Sequence, residues 1–225
     1  MWGRSTKVSD PSPTGSSVPS TRAQWSDAVS EPRIVPRPLE DWDEEVRDAL
    51  SVLSTGKSNS TVGAQPPVVT PPQPRSVPNI IAIYAWHPEL SRSWLTFSNH
   101  LRDSTLNERD RELLTLGTSW LRRGEYEWAQ HTGMGRAAGL SDDEIEAIKI
   151  GSSATIWSPM DAALLCAVEE ICQDRYVSDA TWAELATYFD RKQMMDVVFL
   201  IGAYDMHCMV FNTFGLQLEP GMQGF

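Results

Sequence analysis

The sequence predicts an all-α fold, and three observations predict it. Apolar residues recur at spacings of three and four from Pro88 onward, capping residues and glycines punctuate these runs, and no stretch of strand period separates them. The chain of 225 residues is 41% hydrophobic, ordinary for a globular protein and enough for one domain with a full core. A single domain is expected over residues 31–225.

The elements follow in order. Residues 1–30 are rich in Ser, Pro, Thr and Gly with few aliphatics, so they bury too little surface to offset the entropy of ordering, and a disordered arm is expected. From Leu39 to Leu53, Trp42, Val46, Leu50 and Leu53 fall at spacings of three and four, which predicts a short amphipathic helix. Residues 54–78 hold six prolines and are expected to form an extended surface loop. Pro88 stands at a first helical position and opens a segment with Leu90, Trp94, Leu95 and Leu101 on related faces. Asn107 can cap a helix running to about Arg123 and stopping at Gly124, and Ser141 with Glu144 forms a capping box for one ending at Gly151. Ser158 starts a helix through Cys172, Ser178 one through Phe189, and Asp190 caps the last and longest, which ends at Gly215. That last helix is apolar on nearly all sides, so it is either the centre of a bundle or packed against a second subunit.

A net charge of −11 argues against nucleic acid and anionic membranes as partners, since both need a positive field. The three cysteines, Cys166, Cys172 and Cys208, contain no C-x-x-C, so neither a disulfide framework nor a zinc knuckle is indicated. No apolar run follows a basic start, and Val197 to Ala203 falls short of the roughly 20 apolar residues of a membrane span. A soluble, cytoplasmic protein is expected.

Chemistry concentrates between Glu112 and His131. Glu127 and His131 are four apart and share a helix face, which Met134 and Ala138 continue, so the face is expected to be interior. A carboxylate and an imidazole held where water is scarce shift each other's proton affinity into a useful range. Glu112 lies at the edge of an apolar arc formed by Leu113, Leu116 and Trp120 and is expected to be half-buried. Its bland alternative is one more acid near a helix N-terminus. Tyr126 and Trp128 flank Glu127 as packing residues or aromatic walls, and Arg122 with Arg123 is either a solvated helix end or a cation supply for an anionic substrate. Trp86, His87 and Tyr204 are aromatic candidates from other segments, while His100 and His207 read as partial-core or surface residues. Glu127, His131 and Glu112 are metal-compatible donors, but four histidines and no paired-histidine helix motif argue against a metal.

Glu112, eleven residues, Gly124, two residues, Glu127, three residues, His131: this spacing resembles the signature of the carboxymuconolactone decarboxylase and alkylhydroperoxidase D superfamily. The redox branch of that superfamily has cysteines where Gly124 and Glu127 stand. Flanking segments from RIVPRPLEDWDEEV to the last helix follow the same order, so the resemblance covers most of the chain. It implies an oligomeric all-α bundle, a trimer or hexamer, working without metal or organic cofactor. It also implies a lyase (decarboxylase) or isomerase acting by acid–base catalysis on a small carboxylated ring or lactone, an organic acid. His131 would be the proton donor, Glu127 its orienting partner and Glu112 a second acid or base. Gly117 departs from an arginine carried by many relatives, and with it goes a cation that a carboxylate substrate would use. The alternatives are a non-catalytic ligand-binding or assembly scaffold of the same fold, and thirdly a thiol-dependent peroxidase using Cys166, Cys172 or Cys208. Two-cysteine peroxidase chemistry at the motif itself is excluded, because neither Gly124 nor Glu127 can form or resolve a sulfenic acid.

Overall fold

A computed structural model describes residues 31–54 and 77–225. The expected arm at 1–30, and all but the ends of the proline loop expected at 54–78, lie outside the described residues. Among the described residues the chain is all-α, with α1 (Glu44–Leu50), α2 (Asn79–Tyr84), α3 (Pro88–Arg102), α4 (Glu108–Leu121), α5 (Glu125–Ala137), α6 (Asp142–Ile148), α7 (Pro159–Asp174), α8 (Asp179–Leu185) and α9 (Arg191–Phe214).

The expected helix ends are made by the expected atoms. The side chains of Asn107, Ser141, Ser158, Ser178 and Asp190 accept from backbone N–H groups of the first turns that follow them, and Gly215 ends α9 at φ 68°. Two segments differ. The predicted helix over 39–53 is broken into a 3-10 turn at Leu39–Asp41, α1, and another at Ser51–Ser54, because the Asp43 side chain accepts from Val46 N and starts the helix there. The sequence reading contained no α2, which at six residues is too short to show a period.

The helix enclosed on nearly every side is α4, not α9. Leu113, Leu114 and Leu116 are fully buried, and burying such side chains stabilises by about 1.5–3 kcal/mol each. Thr118 and Ser119 are also fully buried, their hydroxyls donating back to Leu114 O at 2.8 Å and Thr115 O at 2.7 Å. Gly117 lets α7 approach, since a Cβ there would lie 3.0 Å from Leu165 Cδ2. By contrast α9 gives one face to the bundle, through Met194, Val197, Leu200, Ile201 and Cys208, and leaves Met195 (59%), Phe199 (54%) and Met209 (60%) exposed. Among the described residues α9 is long and apolar enough to cross a membrane, beyond the short stretch read from the sequence, and half of its most apolar window is buried in the bundle.

Two further contacts position the site. Val46, Leu50, Ala85 and Leu95 form a small core that fixes α1 against the junction of α2 and α3. After α9 the chain returns along α5, where the Glu219 carboxylate accepts from Tyr126 Oη at 2.6 Å, Gln130 Nε2 at 2.9 Å and Asn79 N at 2.8 Å. That tail therefore pins the start of α2.

Candidate active site

The site begins with a turn. Arg123 adopts the left-handed conformation (φ 54°) and Gly124 N donates to Ser119 O at 2.8 Å, which reverses the chain from α4 into α5. This reversal sets Glu112 on α4 beside Glu127 and His131 on α5. All three are buried, Glu112 at 3% exposed rather than half-buried as expected. His131 Nδ1 lies 2.7 Å from Glu112 Oε2, and its Nε2 lies 3.4 Å from Glu127 Oε2 and 3.2 Å from Tyr204 Oη.

The other half comes from α9 and α2. His207 Nδ1 is 2.8 Å from Glu127 Oε1, and its Nε2 is 2.8 Å from the Tyr84 hydroxyl. The two ring nitrogens of His207 thus join the Glu127 carboxylate to the Tyr84 hydroxyl. The result is a continuous chain from Glu112 through His131, Glu127 and His207 to Tyr84, with Tyr204 as a side branch. Trp94 stacks on His207 with ring centroids 4.3 Å apart.

The charges follow from these contacts. Burial disfavours the His131 imidazolium, but the charge of Glu112 and hydrogen bonds to Glu112 and Glu127 outweigh it and raise its pKa to about 10. Burial likewise pushes the Glu127 carboxyl up, but hydrogen bonds from His131 and His207 outweigh it and hold it near 2. The N-terminal end of α5, where Glu127 is the third residue, favours the same anion. Burial pushes both Tyr84 and Tyr204 up, so both phenols stay protonated.

These groups open onto a cavity of about 210 Å³. Glu112, Glu127, His131, Tyr204 and His207 line it together with Trp94, Arg102, Arg111 and Met134. Met134, expected inside, is 49% exposed at the mouth. The indole N–H of Trp94 is buried without a hydrogen-bond partner. It lies close enough to Tyr84 Oη to favour its anion, yet is not placed to bond it.

Of the wider set of expected substrate contacts, only Tyr204 lines the cavity. Tyr126 turns its hydroxyl to Glu219, and Trp128 packs between Trp120 and Phe225. Arg122 is tied to Asp205 at 2.6 Å and to the carbonyl of Cys172, and Arg123 lies over the Trp120 ring. Trp86 is exposed, donating to Val35 O at 2.8 Å beneath the Arg37 guanidinium. His87 accepts from Leu90 N at the start of α3. The sequence reading missed His207, Tyr84, Trp94, Arg102 and Arg111. A polar pair Tyr204–His207 on the inward side of an otherwise apolar α9 was the available signal. Among the described residues no group of His, Cys, Asp and Glu is arranged to hold a metal ion.

Cys208 occupies the space that a side chain on residue 124 would need: a Cβ there would lie 2.2 Å from its Sγ. Burial and the neighbouring Glu127 charge push this thiol up, and burial does the same to Cys172.

Residues 88–169 match the Carboxymuconolactone decarboxylase family. No curated protein sequence matches the chain. Among solved structures it is similar to an uncharacterized peroxidase-related protein from Ralstonia eutropha JMP134 with an alkylhydroperoxidase AhpD core. That match has a TM-score of 0.64 and 17% identity, over 83% of this chain and 93% of that one. It is also similar to the debrominase Bmp8 in complex with 2,3,4-tribromopyrrole (TM-score 0.62, 11% identity, 83% and 91% covered). A third similar structure is an Agrobacterium tumefaciens protein of unknown function described as a putative antioxidant defence protein AhpD (0.57, 20%, 60% and 94%). At these identities the structures share the fold alone. The match over the central helices and the fold around them agree: the chain is similar to the Carboxymuconolactone decarboxylase family over residues 88–169, and its all-α fold is like that of the alkylhydroperoxidase AhpD core.

Proposed function

We propose that this protein is a cofactor-independent lyase that removes carbon dioxide from a small carboxylated ring or lactone, with His131 as proton donor. The observation that carries the reading is the unequal hold on the two His131 protons. The Nδ1 proton is gripped by Glu112 at 2.7 Å. The Nε2 proton faces Tyr204 at 3.2 Å and Glu127 at 3.4 Å, both longer than the roughly 2.7–2.9 Å of a good charge-assisted bond. A proton so loosely held is available to a molecule in the cavity.

In this mechanism the bond between substrate carbon and carboxylate breaks, its electron pair passes into a conjugated carbonyl as an enolate, and carbon dioxide leaves. The Nε2 proton then adds to carbon, and water restores it to the neutral imidazole. Glu127 and Glu112 orient the ring and keep it charged at neutral pH. Such placed acid–base groups contribute about 10²–10⁴ in rate, with the remainder from binding and electrostatics. The cavity of about 210 Å³ is smaller than the roughly 300–1,000 Å³ of sites for drug-sized ligands, which suits a small ring.

Convergence of Glu112, Glu127 and His131 on a cavity counts against a passive scaffold, whose buried polar groups would need no open space beside them. The raised thiols of Cys172 and Cys208 count against a peroxidase, because the thiolate is the reactive form. We read the exposed Met195, Phe199 and Met209 on α9 as covered by further copies of the chain in a closed oligomer.

The test is incubation with carboxymuconolactone in heavy water, following carbon dioxide by mass spectrometry and deuterium at the product carbon by NMR. Both should appear with the wild-type protein and disappear in His131→Ala, whose fold is checked by circular dichroism. Undiminished carbon dioxide release by His131→Ala, or none by the wild-type, would overturn the assignment.

A further inference from the structure

We propose that Arg111, with Arg102 beside it, holds a carboxylate of the bound molecule at the mouth of the cavity, and that this carboxylate is one retained in the product. The inference rests on reading the cavity as an active site for a small organic acid, and it names the residues that select such a molecule.

Several arginines elsewhere in the chain are held by carboxylates. Arg109 is paired with Asp161 at 2.7 Å, Arg122 with Asp205 at 2.6 Å, Arg136 with Asp142 at 2.7 Å and Arg175 with Asp205 at 2.7 Å. Arg111 meets no carboxylate among the described residues, although the chain carries a net charge of −11. Its one side-chain bond runs to the carbonyl of Arg102, which ties the first turns of α4 to the end of α3 and fixes both arginines on the cavity wall. Arg102 keeps a single exposed contact with its neighbour Asp103 at 3.3 Å. The positive charge of Arg111 reaches inward far enough to favour the Tyr204 anion. An unpaired guanidinium facing a cavity offers two parallel N–H donors, the geometry that fits a carboxylate.

A second, independent observation points the same way. The Trp94 indole N–H, in the lining of the same cavity and with its ring centroid 4.3 Å from that of His207, is a buried donor with nothing to donate to. Such a group is costly to leave unmet and signals an absent acceptor. The cavity lining therefore carries donors without an acceptor, on Arg111 and Trp94, as well as the carboxylates of Glu112 and Glu127 that His131 and His207 already hold.

These charges decide which group sits where. A guanidinium stabilises a carboxylate in the ground state, so a carboxylate that must leave as carbon dioxide gains no rate by being held there. Beside the Glu112 and Glu127 anions, in contrast, a reacting carboxylate is repelled until its charge departs. The carboxylate on Arg111 is accordingly a handle that orients the ring, and Arg111 is a positioning and specificity residue. Position 117, where the resemblance implies an arginine in relatives, has no part in this, because Gly117 faces Leu165 and Val168 of α7.

The experiment measures binding and needs no turnover. Benzoate, which is small, anionic and inert here, is compared with neutral benzamide by ligand-observed saturation-transfer NMR on the full chain. Benzoate should bind about tenfold or more tightly than benzamide, and Arg111→Gln should erase that preference while benzamide binding stays unchanged. Arg111→Lys should keep part of it, and Arg102→Gln should weaken it less, with melting curves checking the fold of each variant. Binding is read without turnover, so a failure of the decarboxylase reading leaves this result standing. Equal binding of benzoate and benzamide by the wild-type, including binding of neither, overturns the proposal, as does an unchanged preference in Arg111→Gln.

Discussion

Replacing Gly124 by alanine tests why this site has no cysteine at that position. The backbone there, φ −79° and ψ 77°, suits any residue, so the cost is steric rather than conformational. The new Cβ would stand 2.2 Å from Cys208 Sγ, 3.0 Å from its Cβ and 3.5 Å from its Cα. Ordinary contact begins near 3.4 Å, so the sulfur must retreat by more than an ångström, and Cys208 is fully buried. Overpacking of this kind costs about 1–3 kcal/mol. At roughly 2–4 °C per kcal/mol for a chain of this size, Gly124→Ala should melt some 2–12 °C below wild-type. Activity should fall as well, because the start of α5 carries Glu127 three residues further on. Cys208→Ala in the same chain removes the 2.2 Å contact and leaves the 3.0 Å one, so the double variant should recover about 1 kcal/mol or more relative to the sum of the singles. Thermal and urea melts of the four proteins close the cycle. A Gly124→Ala protein that melts at the wild-type temperature, or losses that simply add, would show that the packing argument is wrong.

The remaining expectations concern charge, length and assembly. His131 has a raised pKa, so its contribution to stability is full below its unfolded value of about 6.5 and is lost as pH rises through about 10; Glu127 has a depressed one, so its contribution is full above about 4.5 and is lost as pH falls towards about 2. Denaturation midpoints should therefore be highest near about pH 5.5, and activity that needs the imidazolium should persist through pH 6.5; a rate that halves near 6.5 would show His131 to be an ordinary histidine. Glu127→Gln should move the alkaline limb of the pH–rate profile to lower pH and reduce turnover less than His131→Ala does. An unmoved limb at full turnover would take the carboxylate out of the mechanism. Removal of residues 1–30 should change the melting temperature by no more than about 2–4 °C, as scanning calorimetry can check. Light scattering behind size exclusion should give a multiple of 25.1 kDa, a trimer or a pair of trimers, and a stable monomer would mean that the outer face of α9 stays exposed.

What the sequence made legible was local. Caps such as Asn107, Ser141 and Asp190 act within one turn, so residue type and spacing suffice to place them. Glu112, Glu127 and His131 stood out only through the resemblance of their spacing to that of a known superfamily, and a single tight reversal brings them together. His207 and Tyr84 meet the site across 80 and 123 residues of chain, and no local pattern records that approach. The arginines show the limit sharply: Arg122 and Arg123 are adjacent to the motif yet engaged elsewhere, while Arg111 is a cavity residue that the reading passed over. Burial was misjudged where hydrophobicity and size part company. Apolar α9 is only half covered, whereas α4 is enclosed through Thr115, Gly117, Thr118 and Ser119, small residues of which Thr118 and Ser119 bond their hydroxyls within the helix.

The stacking of Trp94 on His207 has a consequence for how the site can be watched. An indole emits differently when its own N–H finds an acceptor. That N–H is unmet at the cavity wall, with the indole ring centroid 4.3 Å from that of His207. The chain holds nine tryptophans, so the difference spectrum between wild-type and Trp94→Phe isolates this one. The fold has thus placed a native fluorophore in the cavity lining, and the arrival of an acceptor there can be followed in unlabelled protein by the colour and yield of its light.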